Sequence, residues 1–335
     1  MKPIALKARA VVFHETGGPD VLRIEEIEVP APGPGQVRIR PKAVGINRAD
    51  SMYRSGKYVE TTLLPGRFGY EAAGIVESVG PDVNDILPGE IVSVIPAFSL
   101  HDYAMQGELV LVPAYAIEKH PHSIDFIDAA ALWTNYLAAY GALVDEGKLS
   151  KGQYAVINAA SSGVGLAAIQ IANAVGAVPI ALTTSLSKKQ ALLNAGAKHV
   201  IVTNEQNLLD EQNLISGGKG IDVIIDAVGG IAFSELVSSA AYKGHIVIYG
   251  TLSSVPAPVS IMDILAKNLT IRGFTLADVL SDAERQNAAK NFIYNGIGKK
   301  LLKPTIAKTF PFDDIIEAHK FLESNKQVGK IVVTF

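Results

Sequence analysis

The chain has 335 residues, of which 48% are hydrophobic and 19% charged, and its formal net charge is −3 at pH 7. This length allows two domains with a sizeable core, and the weak net charge without a basic block argues against a nucleic-acid partner. Cysteine is absent, which excludes disulfides, thiolate nucleophiles and cysteine-ligated zinc. We find no membrane-spanning apolar run and no secretory cleavage pattern, so we expect a cytoplasmic protein without a membrane partner.

Residues 8–100 have the pattern of a β-rich region. Alternating segments such as VLRIEEIEV and QVRIRPKAV are separated by turn clusters such as GGPD and PAPGPG. Period-two alternation between turn signals is typical of half-buried strands. The region therefore predicts a compact, partly barrel-like domain.

The pattern changes at about Ile127, where an Ala-rich helical segment, DAAALWTNYLAAYGALV, leads into repeated strand–helix units. The predicted strands are AVIN, VPIALT, HVIVT, DVIIDAV, HIVIYG and LTIRGF, and helical patterns such as SLSKKQALLNAG and FSELVSSAAYKG lie between them. Apolar strands that alternate with helices favour a parallel sheet covered on both faces. The tail predicts a helix, DDIIEAHKFLESN, and a last strand, GKIVVTF, which we expect to return to the first domain.

The segment YAVINAASSGVG at 154–165 predicts a strand, a tight turn and the start of a helix. On a G-x-G-x-x-G pattern, Ala160, Ser162 and Gly165 take the three glycine positions. The N-terminus of such a helix offers backbone N–H groups and a positive dipole end to a phosphate. The alternative is a small-residue turn without a ligand. The candidate phosphate-binding residues are Ser161, Ser162, Gly163, Val164 and Gly165.

The end of the second predicted strand indicates which cofactor is used. An acidic residue usually binds the adenosine ribose there, but this sequence reads ALTTSLSKK at 181–189. Thr184, Ser185 and Lys188 suit a ribose 2′-phosphate, which a carboxylate would repel. The segment therefore favours NADPH over NADH. The alternative is an ordinary helix N-cap followed by solvated lysines.

Two further strand ends are predicted to line the cofactor crevice, because loops at the carboxyl ends of parallel strands do so in this type of sheet. They are DAVGG, which starts at Asp226, and YGT, which starts at Tyr249. The alternative is that their glycines serve only as turn residues. The candidate contacts are Ala227, Val228, Gly229, Tyr249, Gly250 and Thr251.

Several motifs in the same order resemble the medium-chain dehydrogenase/reductase superfamily over essentially the whole chain. GYEAAG at 69–74, followed by Gly80 and Val83, is similar to the signature G-H-E-x-x-G-x5-G-x-x-V, with Tyr70 in place of His. AASSGVG and the terminal VGKIVVTF also fit. The resemblance implies an α/β fold with two domains.

One implied domain is a Rossmann domain with a doubly wound parallel sheet, which we place at 127–275. The other is a β-rich, GroES-like catalytic domain, which we place at 1–126 and 276–335. Relatives also imply a homodimer formed through the edges of Rossmann sheets, and the apolar segments HIVIYG and LTIRGF are consistent with such an edge.

The zinc-dependent members of this superfamily ligate zinc with a Cys near Asn47 and with a His at the position of Tyr70. Asn is a poor zinc ligand and Tyr an uncommon one. The sequence therefore resembles the zinc-free quinone oxidoreductase branch, and we expect no metal. We expect Glu71 to be structural and bound to a buried basic or amide group.

GINRADSMYRSG at 45–56 is similar to the pattern G-x-N-x-x-D-x-x-x-R-x-G of the zinc-free branch. The resemblance implies that Asn47 faces the nicotinamide end, that Asp50 helps to hold the loop, and that Tyr58 is an active-site tyrosine. These three are the catalytic candidates. The alternative for Asn47 and Asp50 is a loop-capping pair. The resemblance implies further cofactor contacts at Thr203, Asn204, Phe274, Thr275 and Lys330.

The predicted function is hydride transfer from NADPH to a small-molecule acceptor, either a quinone or an α,β-unsaturated carbonyl. One alternative is reduction of an enoyl thioester, which would need a basic entrance for the thioester tail, with candidates Arg48, Arg54, Lys57 and Arg67. Another is a non-catalytic, NADPH-binding redox sensor. The sensor is considered because Met52 and Ala138 stand where many relatives carry Tyr and Thr.

Overall fold

Two units make up the computed structural model, which describes residues 4–120 and 124–335. The first unit consists of the chain up to residue 134 together with 304–335, and the second consists of 135–303. Residues 304–335 of the tail therefore belong to the first unit. None of the helices in the described ranges is long and apolar enough to cross a membrane.

The first unit is built mainly from strands, numbered here along the whole chain. They are β1 (Leu6–Phe13), β2 (Leu22–Val29), β3 (Gln36–Ile46), β4 (Glu71–Val79), β5 (Ile91–Val94), β6 (Val110–Pro113), β7 (Ile117–Lys119), β14 (Ile306–Pro311) and β15 (Lys330–Thr334). The strands β1 and β2 form an antiparallel pair. The larger sheet has the order β14-β15-β3-β4-β5-β7, and β6 also pairs with β3.

Within its described residues, the first unit has the α-helices α1 (Arg48–Arg54), α2 (Phe126–Ala129) and α11 (Ile315–Glu323). A helix α3 (Trp133–Tyr140) begins in this unit and continues into the second. The core of the first unit contains apolar side chains from the sheet together with Ile315, Ala318 and Leu322 of α11. The C-terminal helix is therefore part of this core.

The second unit has six parallel strands, which match the six predicted apolar runs. They are β8 (Tyr154–Ile157), β9 (Val178–Thr183), β10 (His199–Val202), β11 (Ile221–Asp226), β12 (Ala240–Ile248) and β13 (Thr270–Gly273). Their spatial order is β10-β9-β8-β11-β12-β13. In this doubly wound order the strand sequence reverses between β8 and β11, where ligands usually bind. The predicted Rossmann-type sheet is confirmed.

The α-helices that start in the second unit lie between these strands in sequence or follow the last of them. Those between the strands are α4 (Gly163–Val175), α5 (Lys189–Asn194), α6 (Leu208–Ser216), α7 (Phe233–Ser239) and α8 (Ile261–Lys267), and those after the last strand are α9 (Leu276–Leu280) and α10 (Ala283–Gly298). The helical pattern FSELVSSAAYKG is helical only to Ser239, because Ala240 pairs with Ile221 and starts β12. Lys243 then adopts a positive φ of 61° at an irregularity in that strand.

The unit boundaries differ from the predicted domain limits at both places. Trp133 and Thr134 belong to the first unit, where the Trp133 indole donates to Ser93 Oγ over 2.8 Å. Residues 276–303, which the sequence analysis assigned to the GroES-like domain, belong to the second unit. There Arg285 forms an ion pair with Asp145. Side-chain contacts of this kind are long-range and are not visible in the local sequence pattern.

Candidate functional site

The turn between β8 and α4 has the geometry of a phosphate-binding turn. Ser162 is the N-cap of α4, and its hydroxyl accepts a hydrogen bond from the Gly165 N–H over 3.0 Å. The hydroxyl still has its own hydrogen to donate. The helix itself provides no acceptor for the N–H groups of Gly163 and Val164. These groups and the helix dipole are therefore suited to an anion.

The two glycines of this turn are needed for close packing. A Cβ on Gly165 would lie 2.6 Å from the Cα atom of Ala160, and one on Gly163 would lie 2.5 Å from the Asn135 side chain. The third glycine of the motif therefore brings the helix against the turn, as expected for a Rossmann fold.

The end of β9 places a lysine next to the phosphate turn. Lys188 Nζ donates to Ser161 Oγ over 3.1 Å, and burial lowers the pKa of Lys188. Ser185 is half-buried and its hydroxyl lies 2.8 Å from that of Ser187, whereas Thr184 is exposed. The predicted 2′-phosphate residues thus lie in one segment, beside a residue of the predicted pyrophosphate turn.

The loop after β11 is fixed by Asp226, which is fully buried. Its carboxylate accepts hydrogen bonds from the Val228 and Gly229 N–H groups over 2.9 and 2.8 Å, and from the Asn158 side chain over 2.7 Å. Asp226 therefore occupies the Val228 and Gly229 N–H groups, which could otherwise donate to a ligand. Gly229 has a positive φ of 68°, and a Cβ there would meet open space. Ala227 is buried in the same loop.

A buried hydroxyl lies after β12, beside the phosphate turn. Tyr249 Oη is buried and makes no hydrogen bond of full geometry in the described part of the chain, although the Ser162 hydroxyl interacts with it, and burial raises the pKa of Tyr249. Gly250 lies close to Ala227, since a Cβ there would be 2.9 Å from the Ala227 carbonyl oxygen. Thr251 is exposed. A buried hydroxyl without a full hydrogen bond is unusual in the absence of a ligand or water, so these residues are compatible with a bound cofactor.

The remaining predicted contacts of the second unit have local structural roles as well. Thr203 is half-buried, and its N–H donates to the Thr183 carbonyl over 2.9 Å; Asn204 is exposed beside it. Phe274 is buried. Thr275 caps α9 through Asp278, whose carboxylate accepts from the Thr275 N–H over 2.7 Å.

In the first unit, Asn47, Glu71 and Lys330 form a buried polar cluster. The Lys330 ammonium donates to Asn47 Oδ1 over 2.5 Å and also to Glu71 Oε1. The Asn47 amide nitrogen donates to Glu71 Oε1 over 3.1 Å, and the Thr134 N–H donates to Glu71 Oε2 over 3.0 Å. The expectation that Glu71 binds a buried basic or amide group is confirmed.

Asp50 has the capping role that was the structural alternative for it. It is fully buried, and its Oδ2 accepts from the Asn47 N–H over 2.9 Å at the start of α1. Gln106 Nε2 donates to the same oxygen over 3.2 Å, while Asp50 Oδ1 is buried without a hydrogen-bond partner in the described residues. Burial raises the pKa of Asp50 to about 7. This placement favours a role for Asp50 in positioning Asn47.

A hydrogen-bonded chain that the sequence analysis did not identify continues from Gln106 to the surface. His319 Nε2 lies 3.0 Å from Gln106 Oε1, and His319 Nδ1 lies 3.3 Å from Arg54 Nη1. Since Arg54 only donates, Nδ1 is the acceptor and Nε2 carries the hydrogen. Burial beside Arg54 lowers the pKa of His319 to about 3. Arg54 also pairs with Glu323.

Tyr58 belongs to a second polar cluster of the first unit, with Tyr70 and Glu60. The Tyr70 hydroxyl donates to Glu60 Oε1 over 2.7 Å, and the hydroxyl oxygens of Tyr70 and Tyr58 are 3.3 Å apart. Burial raises the pKa of both tyrosines. Glu60 was not a candidate in the sequence analysis, because nothing in its local pattern distinguishes it from a surface residue.

The basic side chains considered for a thioester tail differ in their surroundings. Arg48 donates to the Leu322 carbonyl over 3.1 Å, and Arg54 is buried in the chain described above. Lys57 is exposed. Arg67 is half-buried, and its Nε is buried without a hydrogen-bond partner in the described residues. Arg48 and Arg54 are thus engaged within the protein.

The two positions that correspond to zinc ligands in zinc-dependent members hold Asn47 and Tyr70, and both side chains bind other protein groups. In residues 4–120 and 124–335, no group of three His, Cys, Asp or Glu side chains is arranged to hold a metal ion. The donor set at these positions is therefore an amide and a phenol.

Comparison with protein-family models gives two matches that follow the division of the fold. The model described as "Alcohol dehydrogenase GroES-like domain" matches residues 33–119. The model described as "Zinc-binding dehydrogenase" matches residues 163–292. The first covers most of the β-rich region, and the second starts at the first residue of α4.

Curated relatives align with 97% of this chain. Human quinone oxidoreductase is 32% identical, with 97% of its own length covered. The 2-haloacrylate reductase of a Burkholderia species is 31% identical, with 98% covered. The human synaptic vesicle membrane protein VAT-1 homolog is 32% identical, with 86% covered.

Among solved structures, Escherichia coli quinone oxidoreductase complexed with NADPH superimposes with a TM-score of 0.89. It is 30% identical to this chain, and the alignment covers 98% of this chain and 100% of that one. The chain therefore belongs to the medium-chain dehydrogenase/reductase superfamily, a superfamily of oxidoreductases. Its relatives include the quinone oxidoreductases.

Proposed function

We propose that the protein is an NADPH-dependent oxidoreductase that reduces a quinone or another conjugated carbonyl compound without a metal ion. The observation that carries this proposal is the cluster of Asn47, Glu71 and Lys330. At the position where zinc-dependent members place a cysteine ligand, this chain has an amide that is already bound by a buried ammonium and carboxylate. A conjugated acceptor needs little Lewis-acid help, because it spreads the charge that it receives.

The cofactor preference is argued from Lys188. The Lys188 ammonium lies 3.1 Å from Ser161 Oγ of the predicted pyrophosphate turn, so this segment offers a positive charge to an anion, and burial, which lowers the pKa of Lys188, would strengthen its attraction to that anion. The ribose 2′-phosphate of NADPH is such an anion. In this proposal Thr184, Ser185 and Lys188 bind the 2′-phosphate, and residues 161–165 bind the pyrophosphate. The relative that was solved with NADPH supports the same cofactor.

The other predicted contacts are proposed to orient the cofactor and the acceptor. Bound NADPH supplies the hydride. The fixed loop at Ala227–Gly229, the buried Tyr249 hydroxyl and the residues Thr203, Asn204, Gly250, Thr251, Phe274 and Thr275 shape its binding surface. In the first unit, Asn47 and Lys330 are proposed as cofactor contacts and Tyr58 as a hydrogen-bond donor to the acceptor oxygen. Asp50 holds Asn47 in place.

The test is the rate of NADPH oxidation with a panel of quinones and enones, compared with NADH and repeated with a chelator. We expect turnover that prefers NADPH and is unaffected by the chelator. Replacing a charged hydrogen-bond partner costs about 1.5–3 kcal/mol, so Lys188→Met should lower the NADPH preference at least about tenfold. Lys189→Met is the matched control. A preference for NADH, or loss of activity with the chelator, would contradict the proposal.

We also propose a homodimer that forms along the edge of the parallel sheet. The strand β13 is the edge strand, and three apolar side chains of α8 are strongly exposed: Ile261 (65%), Met262 (72%) and Leu265 (69%). Contiguous exposed apolar side chains of this kind mark interaction sites. Light scattering should give a dimer that Met262→Glu dissociates. Leu214→Glu, at a side chain 78% exposed elsewhere in the unit, should leave the dimer intact.

A further inference from the structure

Glu60, Tyr70 and Tyr58 form a short line of oxygen atoms in the first unit. The Tyr70 hydroxyl oxygen lies 2.7 Å from Glu60 Oε1 and 3.3 Å from the Tyr58 hydroxyl oxygen. Glu60 is itself held by two donors at its other oxygen, the Ser99 hydroxyl and, over 3.1 Å, the Leu100 N–H. The carboxylate is therefore fixed at one end of the line, and Tyr58 is at the other.

The direction of the hydrogens follows from this geometry. While Glu60 is a carboxylate, the single hydrogen of Tyr70 is used in the short contact with Glu60. The Tyr70 oxygen is then an acceptor toward Tyr58. At 3.3 Å this contact is longer than a typical O–H···O hydrogen bond, so the Tyr58 hydrogen is held weakly and can turn toward a ligand.

All three groups can both donate and accept a proton, which is what a proton relay needs. The other chain of buried polar groups in this unit lacks that property. Gln106 and Arg54 interrupt it, because a carboxamide and a guanidinium do not give up a proton at ordinary pH. Of these two chains of polar groups, the line from Glu60 to Tyr58 is therefore the one that can transfer a proton.

The line depends on Tyr70, which is a departure from the zinc-dependent pattern. Tyr70 is 8% exposed, and its ring lies 6.0 Å from that of Phe98 and 6.3 Å from that of Tyr58. The substitution that replaces a zinc-ligating histidine thus places a hydroxyl between a half-buried carboxylate and Tyr58.

We propose that Glu60 and Tyr70 relay a proton to Tyr58, which protonates the oxygen of the reduced acceptor. The step rests on the proposed function: hydride addition from NADPH leaves the negative charge on the acceptor oxygen. The Tyr58 O–H bond breaks as the new acceptor O–H bond forms, and Tyr58 takes the Tyr70 proton. Delivery in this direction requires Glu60 to take a proton from water first, so that Glu60 donates to Tyr70 and the Tyr70 hydroxyl donates to Tyr58. Tyr70 then takes the Glu60 proton as its own passes to Tyr58, and Glu60 is a carboxylate again. In total, one hydride and one proton reach the acceptor, and NADPH becomes NADP⁺.

Tyr70→Phe and Glu60→Gln test this relay, because each keeps the size of the side chain and stops proton transfer through it. Proton transfer by a positioned side chain contributes about 10²–10⁴-fold to a rate. The loss of one relay group, which water can partly replace, should therefore lower kcat by at least about tenfold. Tyr103→Phe is the matched control, since its ring lies in the same aromatic cluster, 5.6 Å from Phe98, without contact to Glu60 in the described structure.

The readouts separate a relay from a structural role. The KM for the acceptor and the affinity for NADPH should stay within about twofold in both variants. In the wild-type enzyme, the dependence of kcat on the deuterium content of the solvent should indicate that more than one proton moves. This solvent isotope effect should change in Tyr70→Phe. The solvent isotope effect should likewise change in Glu60→Gln. Melting temperatures report whether each variant is folded.

Two negative results are distinguishable. Wild-type turnover with unchanged kcat and isotope effect in Tyr70→Phe would overturn the relay and leave the proposed function intact. Absence of turnover in the wild-type enzyme with every conjugated acceptor, although NADPH binds, would overturn the proposed function and the relay with it. A wild-type enzyme without any solvent isotope effect would also contradict the relay.

Discussion

Lys330 and Glu71 form an ion pair whose side chains are only 3% and 1% exposed to solvent. They are 259 residues apart in the sequence and are joined where β15 starts and β4 starts. Removing one partner of such a pair leaves an uncompensated buried charge, which is much more costly than losing a surface ion pair. The pair therefore links β15 to β4, so the stability of the first unit depends on both of its chain segments.

Lys330→Met should therefore lower the free energy of unfolding by about 3–5 kcal/mol, because Glu71 stays buried without its counter-ion. Urea denaturation measures this. Lys326→Met, at an exposed lysine of the same tail, should have little effect. The double variant Lys330→Met/Glu71→Gln should recover part of the loss. Equal destabilisation by the two single lysine variants would contradict the prediction.

Asp50 should make the stability depend on pH in an unusual direction. Its pKa is about 7 in the folded protein because of burial, compared with about 3.9 in an unfolded chain. The folded state therefore binds the proton more tightly, so the contribution of Asp50 is full below about pH 4 and is lost as the pH rises through about 7. In Asp50→Asn this loss between about pH 4 and 7 should disappear. Denaturation at several pH values tests it, with Asp102→Asn, at an exposed carboxylate, as the control.

Arg67 should be replaceable without loss of stability. Burial lowers its pKa, and its Nε atom is buried without a hydrogen-bond partner in the described residues. Apolar replacement of a poorly compensated buried charge is often neutral or stabilising by about 1–4 kcal/mol. We expect Arg67→Met to keep or raise the melting temperature. Arg54→Met should lower it, because Glu323 would lose its partner. A large decrease for Arg67→Met would show that this guanidinium has a partner that stabilises the fold.

Gly165→Ala should damage both the fold and cofactor binding. The added Cβ would lie 2.6 Å from the Ala160 backbone, so the helix must move away from the turn, and overpacking of this kind costs about 1–3 kcal/mol. The displaced N–H groups of α4 should bind NADPH more weakly in a fluorescence titration. Gly298→Ala, where no atom lies within 4 Å of the new Cβ, should leave both quantities unchanged.

The parallel sheet was predictable because its strands are continuous apolar runs with turn residues between them, and the turn at Ala160–Gly165 was predictable because its glycine spacing is local. The domain limits were less accessible, since the assignment of α9 and α10 depends on contacts such as that of Arg285 with Asp145. The role of Glu60 was missed for a related reason. It meets Ser99, 39 residues further along the chain, and a sequence pattern does not report such pairs.

The structure also gives some of the predicted residues contacts that the sequence did not indicate. Asp226 was noted only as a strand-end residue, yet its carboxylate occupies the N–H groups of Val228 and Gly229. Asn47 and Asp50 are linked as a helix start, and Asn47 additionally binds Lys330. The sequence indicated that Asn47 and Asp50 could form a capping pair. It did not indicate that a buried lysine binds Asn47, because Lys330 lies 283 residues further along the chain.

The division of the first unit across both ends of the chain has a consequence for its synthesis. Residues 135–303 are continuous, and all six strands of their sheet are synthesised before β14 and β15. The parallel sheet can thus form on the nascent chain. The β-rich unit cannot be completed then, because β3 still lacks its neighbour β15, and Glu71 lacks Lys330. Until β15 is synthesised, the nascent chain exposes an open sheet edge, and this is the stage at which we expect it to depend most on chaperones.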